Sequence, residues 1–266
     1  MGRSRLSLLV ARRDPAVKLG VALLLSLVLV LVIDPVTPLL FIAAAWIAAV
    51  ALGGLSAGAF ARTLLPLAVV ALGFVWTNAV FAVPAPDDTV WRLGPFAASA
   101  SGLRFGVGIG LRGLAIGAVS LAAVRTSDPT RLVVSLIRNA RLSYRIGYAV
   151  LAAYRFFPIV GEEYARIRLA QRVRGVRPTS VRARAAAAVG GIVPLFADAT
   201  RRATRIAVAM DARGFASARE RTYWRATPVT AGDWLFALSC LLVAAAILGA
   251  GLAGGWLRLW NGRFSA

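Results

Sequence analysis

The chain has 266 residues, of which 59% are hydrophobic and only 16% charged, and its formal net charge is +20. Its mean hydropathy of +0.74 is far above that of soluble domains, in which about a quarter of the residues are charged. These values exclude an ordinary soluble domain and indicate an integral membrane protein.

The first half of the chain contains two apolar stretches near its start. A helix needs roughly 20 apolar residues to cross a bilayer, and the length of each stretch is compared with that number. The first lies between Lys18 and Asp34 and is short, but a lysine stem that snorkels to the interface would lengthen it. The second covers residues 39–52 and follows a turn marked by Pro35 and Pro38. We expect both stretches to be transmembrane helices.

Three further stretches complete the membrane part. Residues 64–83 and 231–256 carry almost no charge, and residues 105–124 are apolar apart from Arg112. Glycine and alanine crowd residues 106–118, which favours close helix packing in lipid. The sequence therefore predicts an all-α integral membrane protein with about five transmembrane helices.

The distribution of charge predicts the orientation. No small-x-small cleavage site follows the first apolar stretch, so we interpret it as an uncleaved helix. The residues before it are basic, whereas the loop after residue 83 contains Asp87 and Asp88 against Arg92. By the positive-inside rule, the N-terminus is cytoplasmic and the acidic loop is outside. Arg258 and Arg263 mildly oppose this orientation, since five crossings leave the C-terminus outside.

Residues 126–225 form a basic region with nineteen Arg against six Asp or Glu, which contributes +13 of the net charge of +20. We predict three parts: an N-terminal transmembrane bundle (residues 1–125), a cytoplasmic region of amphipathic coupling helices (126–225), and a C-terminal transmembrane helix with its tail (226–266). The basic region could be a positive-inside loop or a patch for anionic lipids. A nucleic-acid surface is disfavoured, because the arginines lie on apolar helices without an exposed aromatic platform.

The basic region contains a repeat. Residues 166–176 and 205–215 share the order Arg-Ile, an alanine three positions after the isoleucine, and then Arg-Gly followed by an apolar residue. Each copy lies downstream of an apolar segment with a proline, Pro158 in one and Pro194 in the other. The repeat predicts two similar amphipathic helices.

Two pairs of opposite charge are predicted to stabilise these helices at a spacing of i, i+4. They are Glu162 with Arg166 and Asp198 with Arg202.

The Arg-Gly ends have two interpretations. Glycine at the position after the helix cap adopts the left-handed conformation that ends a helix, and a cation beside it suits the negative end of the helix dipole. Capping alone does not require two copies in one region, so docking of both ends into acidic pockets of a cytoplasmic partner is the alternative.

The sequence offers little for catalysis. Histidine does not occur, the single cysteine is Cys240 in the last apolar stretch, and the sole lysine, Lys18, has no Walker-type sequence around it. Glu162 and Glu163 are adjacent and would not face each other on a helix. We therefore expect no catalytic residue, no bound metal and no cofactor.

Three segments together resemble a known family. They are SDPTRLVVSLIRN, YAVLAAYRFFPIVGEEYARIRLAQRVRGV, and AVAMDARGF followed by Arg221-Thr222. This succession is similar to the transmembrane coupling (T) component of energy-coupling factor (ECF) transporters, the cobalt and biotin types included. Ala212, Arg213 and Gly214 match the family's Ala-Arg-Gly motif, whereas the first copy has Val173 in place of the alanine before Arg174 and Gly175.

The resemblance implies a division of labour in the bacterial cell membrane. A small membrane S component captures a vitamin or a transition-metal ion, and a homo- or heterodimer of ABC-type ATPases supplies the energy. Arg174, Gly175, Ala212, Arg213 and Gly214 would contact the ATPases, and the apolar faces of the same helices would hold the S component. Membrane lipid is a further expected partner, and nucleic acid is not.

Two questions stay open at this stage. Arg112 is a functional-site candidate because an intramembrane charge is costly, yet it could also snorkel outward or retain a partner. The alternatives to a coupling subunit are a stand-alone membrane permease and a lipid-associated structural protein. A permease should contain an intramembrane acidic or histidine cluster, and the predicted helices contain none.

Overall fold

The computed structural model describes residue 10 and residues 13–81, 89–93, 96–176, 179–215 and 228–257. Asp87 and Asp88 of the acidic loop, the basic residues at both chain ends apart from Arg13 and Lys18, and the Arg221-Thr222 pair lie outside the described residues.

The helices are α1 (Pro15–Val30), α2 (Val36–Ile47) continued by a π-helical turn (Ala48–Leu52), α3 (Ala57–Phe81), α4 (Ala100–Arg125), α5 (Pro129–Asn139), α6 (Tyr144–Val173), α7 (Val181–Ala212) and α8 (Ala231–Ala253). The chain forms two compact units, residues 1–141 with 227–266 and residues 142–226. Helix α5 thus groups with the apolar helices of the first unit. The three-part functional division at residues 125 and 225 stays a prediction.

Within the first unit, α3, α4 and α8 are long and apolar enough to cross a membrane, while α1 and α2 with its π-helical turn are shorter apolar helices. The 16 residues of α1 span about 24 Å at 1.5 Å per residue, less than the roughly 30 Å of a hydrocarbon core. The prediction of an all-α membrane protein is confirmed. The number of five crossings stays a prediction.

A short β-hairpin was not predicted. Strand β1 (Val90–Leu93) pairs antiparallel with β2 (Phe96–Ser99), so that Val90 lies opposite Ser99. It lies in the segment that the sequence predicts as an outer loop, where Val90 and Trp91 are residue types that suit a strand. Ser99 also caps α4, because its hydroxyl accepts a hydrogen bond from the amide of Gly102.

The first unit is held together by an apolar core in which α4 packs against α1, α2 and α3. Within this core, the rings of Trp46 and Phe60 pack edge to face with their centroids 5.5 Å apart. Helices α3 and α4 approach closely at glycines. A Cβ atom on Gly110 would lie 2.8 Å from the carbonyl oxygen of Ala71. For α4, the predicted role of small residues in packing is confirmed.

A buried polar cluster joins four helices of this unit. Asp14 caps α1 with its carboxylate, whose two oxygens share the hydrogen bond donated by the Ser135 hydroxyl of α5, at 2.6 and 2.8 Å. Its amide donates to Asp233 in the first turn of α8 at 2.9 Å. The Lys18 ammonium donates to the carbonyl oxygen of Thr126, the residue that caps α4, at 2.7 Å. The starts of α1 and α8 and the end of α4 therefore meet at one place.

The expected snorkelling of Lys18 was wrong. This side chain is only 3% exposed, and its charge is turned toward the end of α4 instead of the lipid interface. The reason is that the last carbonyl groups of a helix have no partner within the helix and accept a donor from elsewhere.

We predict that Gly110→Val destabilises the α3–α4 contact by about 1–3 kcal/mol, because the new side chain would overlap the backbone of α3. Gly113→Val on the same helix is the matched control, since a Cβ atom there meets nothing within 4 Å. Thermal unfolding in detergent measures the difference. Equal melting temperatures for the two variants would contradict the close contact.

Candidate functional site

Both copies of the repeat form the last turns of long helices. The first copy ends α6 and the second ends α7, with Arg174 and Arg213 as the capping residues. Gly175 and Gly214 follow with φ angles of 84° and 74°, in the left-handed region that favours glycine. The prediction that glycine ends each helix in this conformation is confirmed.

The two ends have the same hydrogen bonds. In the first, the amide of Val176 donates to the carbonyl of Gln171 and that of Gly175 to the carbonyl of Arg172, each at 3.0 Å. In the second, the amide of Phe215 donates to the carbonyl of Met210 at 3.0 Å and that of Gly214 to Asp211 at 2.9 Å. This pair of bonds is the Schellman motif, which satisfies the last carbonyl groups with the backbone itself.

The arginine side chains are not used for this capping. Arg174 and Arg213 are both exposed, and neither forms an ion pair with any residue that the structure describes. Val173, which replaces the family's alanine in the first copy, is 88% exposed. Within the described residues, each helix therefore presents an exposed guanidinium without an ion-pair partner beside a self-capped turn, which suits a carboxylate on another molecule.

Helices α6 and α7 run antiparallel. Gln171 near the end of α6 donates from its side-chain amide to the carbonyl of Ala187 near the start of α7, at 3.2 Å. Toward the start of α6, Phe156 lies under the guanidinium of Arg202, 5.5 Å from its ring centroid.

This antiparallel arrangement separates the two Arg-Gly ends. The 30 residues of α6 correspond to about 45 Å at 1.5 Å per residue. The Arg174 end and the Arg213 end thus lie at opposite ends of the helix pair.

The predicted ion pairs at i, i+4 were wrong. Arg166 pairs with Glu163 at 3.5 Å, and Asp198 pairs with Arg201 at 3.7 Å, both at a spacing of i, i+3. Arg202 instead contacts the Phe156 ring. Side chains three and four residues apart are both neighbours on a helix, so adjacent acidic or basic residues allow either spacing.

A polar cavity of about 260 Å³ lies between α6 and α7, and sequence patterns did not indicate it. Carboxylates and guanidinium groups line it together: the residues are Ile159, Glu162, Glu163, Arg166 and Arg202. The charge pattern on α6 was visible in the sequence, but the contribution of Arg202 depends on the pairing of two helices. In the described part of the chain, no group of three His, Cys, Asp or Glu residues could hold a metal ion.

Arg112, the intramembrane candidate, has a backbone partner. Its guanidinium donates to the carbonyl oxygen of Val30, the last residue of α1, at 3.0 Å. Its charge is thus directed at the negative end of a helix, where it satisfies a carbonyl group that α1 cannot.

We predict that Gly175→Ala or Gly214→Ala loosens the end of its helix at a cost of about 1–2 kcal/mol, because alanine is strained at a positive φ. Gly161→Ala is the control, since this glycine lies inside α6 in open space, where alanine stabilises a helix. Amide hydrogen exchange in the last turns of α6 and α7 reports the effect. Unchanged exchange after Gly175→Ala would contradict the left-handed turn.

For Arg112 we predict a structural role. Arg112→Leu leaves the Val30 carbonyl without its donor and lowers stability by about 1–3 kcal/mol, while uptake per folded molecule stays unchanged. Arg104→Leu, at an exposed position of the same helix, controls for the lost charge. Loss of uptake by Arg112→Leu protein that is present in normal amount would show that Arg112 acts in transport.

Comparison with known proteins identifies the family. Residues 8–224 match the family model described as CbiQ, cobalt transport protein. An energy-coupling factor transporter transmembrane protein EcfT from Heliobacterium modesticaldum is 33% identical over 184 residues, which are 63% of this chain and 69% of that protein. The EcfT of Thermosediminibacter oceani is 29% identical over 231 residues, 84% of this chain and 86% of that protein.

A third relative has a different name. A putative ABC transporter ATP-binding protein of Bifidobacterium longum is 30% identical over 168 residues, which are 60% of this chain but only 22% of that protein. The family match covers most of the chain, and the apolar helices agree with the transmembrane character that the EcfT names state. The chain therefore belongs to the CbiQ cobalt transport family and is a membrane (T) component of an energy-coupling factor transporter of bacteria.

Proposed function

We propose that this chain transmits conformational changes of ABC-type ATPases to a small substrate-binding S component, and that it does so through α6 and α7. The observation that carries the proposal is the pair of self-capped Arg-Gly ends, each with an exposed arginine, at opposite ends of an antiparallel helix pair. Two equivalent docking points far apart suit a partner with two subunits.

The chemistry of arginine suits docking on a carboxylate of a partner subunit. Its planar guanidinium forms two parallel, charge-assisted hydrogen bonds with one carboxylate, and it stays charged at any physiological pH. Because the Schellman turns fix the backbone beside Arg174 and Arg213, little order has to be gained when these side chains dock. Val173, Gly175, Ala212 and Gly214 would shape the surface next to each arginine.

Support for ATPase partners comes from two sources. The relatives named EcfT are components of transporters whose name states energy coupling, and another relative is named an ABC transporter ATP-binding protein. The side chains of this chain provide no nucleotide site of the Walker type. ATP would thus be hydrolysed by the partner subunits and not by this chain.

The apolar faces of α6 and α7 are the proposed surface for the S component. Large apolar side chains project from both helices and remain exposed, which is costly in water and typical of an interface or of lipid contact. They include Tyr154, Phe157, Val189, Val193 and Phe196. The transported substrate would be a vitamin or a transition-metal ion, and the family description names cobalt.

The topology of the first unit agrees with the proposed orientation. Since the starts of α1 and α8 lie with the end of α4 at the Asp14 cluster, these three helix ends are on the same side. A chain that crosses the membrane five times also places these three helix ends on one side. Residues 142–226 lie between α4 and α8 in the sequence. The excess of arginine there favours the cytoplasmic side, which also puts the N-terminus in the cytoplasm.

We predict that Arg174→Ala and Arg213→Ala each abolish ATP-dependent uptake while the protein remains folded in the membrane. Removal of one member of a partly buried charge pair costs about 2–5 kcal/mol, enough to uncouple the subunits. Arg182→Ala, an exposed position near the start of α7, is the control for loss of one positive charge.

The measurement combines uptake in the native cells with recovery of ATPase subunits on the tagged chain. The control should keep both. Normal uptake by the Arg174→Ala, Arg213→Ala double variant would overturn the proposed coupling role.

A further inference from the structure

The second Arg-Gly end is held by aromatic rings. Phe215, the residue after Gly214, packs edge to face against Tyr144 and Tyr148, with centroids 5.6 and 5.7 Å away and interplanar angles of 71° and 83°. The two tyrosines are one turn apart on α6 and therefore share a face. The first turns of α6 thus clamp the residue that follows the end of α7.

Among the described residues, the first Arg-Gly end shows no such clamp. Its corresponding residue, Val176, has no aromatic ring and is exposed, and nothing approaches a Cβ atom placed on Gly175 within 4 Å. The backbone turn is the same at both ends, so the difference lies in the contact made by the apolar residue after glycine.

We propose that Tyr144 and Tyr148 are positioning residues, which hold Phe215 and thereby present Arg213 to one ATPase subunit in a preformed orientation. This inference rests on the proposed coupling function and makes its two docking points unequal. The Arg213 end is held by the two rings in addition to its Schellman turn, whereas the Arg174 end, which is 30 residues from Tyr144 along α6, shows only its Schellman turn among the described residues.

The clamp also links the two helices mechanically. Edge-to-face packing prefers one narrow range of ring positions, so a displacement of the start of α6 moves Phe215 with it. The ATPase subunit that holds Arg213 would therefore act on α6 as well as on α7. At the first end, the docked subunit acts on α6 alone.

The test uses the full chain purified in detergent together with the ATPase subunits from its native cells. We compare Tyr148→Ala with Tyr148→Phe, which keeps the ring, and with Val176→Ala at the unclamped end. Phe215→Leu, which keeps an apolar side chain but not the ring, serves as a second variant if Tyr148→Ala does not fold.

Hydrogen exchange gives the first readout. We expect the amides of Gly214 and Phe215 to exchange about tenfold faster in Tyr148→Ala, and those of Gly175 and Val176 to be unchanged, because the ring contacts are local. Tyr148→Phe should restore slow exchange.

Dissociation of the ATPase subunits from the immobilised chain gives the second readout. We expect it to be about tenfold faster in Tyr148→Ala and at the wild-type rate in Tyr148→Phe, because the clamp lowers the cost of ordering Arg213. Tyr148→Ala protein with wild-type rates of hydrogen exchange and of ATPase dissociation would overturn the clamp. Hydrogen exchange that is accelerated equally at both helix ends would overturn it too. If Tyr148→Ala has no effect, Arg213→Ala shows which proposal is wrong. Unchanged dissociation in Arg213→Ala would contradict the coupling function itself, whereas faster release of the ATPases would contradict only the clamp.

Discussion

The structure depends on how each helix end satisfies backbone groups that have no partner within the helix. In a chain this apolar, a buried carbonyl or amide without a partner costs about 1–3 kcal/mol, so charged side chains are held where they close helices. Lys18 donates to the end of α4 and Arg112 to the end of α1. Asp14 accepts at the start of α1, and Asp233 at the start of α8. Each of these charged side chains thus has a backbone partner at a helix end.

The Arg-Gly ends differ from these because the backbone alone closes them. With the last carbonyl groups already bonded in a Schellman turn, neither Arg174 nor Arg213 is needed by its own helix. The two interpretations of the repeat, capping and docking, are therefore compatible: the backbone turn at glycine does the capping, and arginine stays exposed for the proposed docking.

Local patterns could be predicted from the sequence, and long-range contacts could not. Hydropathy located the apolar helices, and the preference of glycine for positive φ predicted both helix ends. Ser135 and Asp14 are bonded although they are 121 residues apart, and no periodicity indicates such a pair. The partner of Asp198 likewise depends on the other helix, because Arg202 contacts the Phe156 ring there. The clamp on Phe215 depends on the same pairing of α6 with α7.

The central claim is that the two Arg-Gly ends move when the ATPases bind ATP. The most direct measurement is the distance between spin labels at Val173→Cys and Asp211→Cys, in a Cys240→Ala background, within the complete transporter. ATP should bring the labels closer by several Å, since closure of an ATPase pair would draw both docked ends together by bending α6 and α7, each of which has a proline inside it, Pro158 and Pro194. The same distance with and without ATP, in a transporter that hydrolyses it, would contradict coupling through α6 and α7.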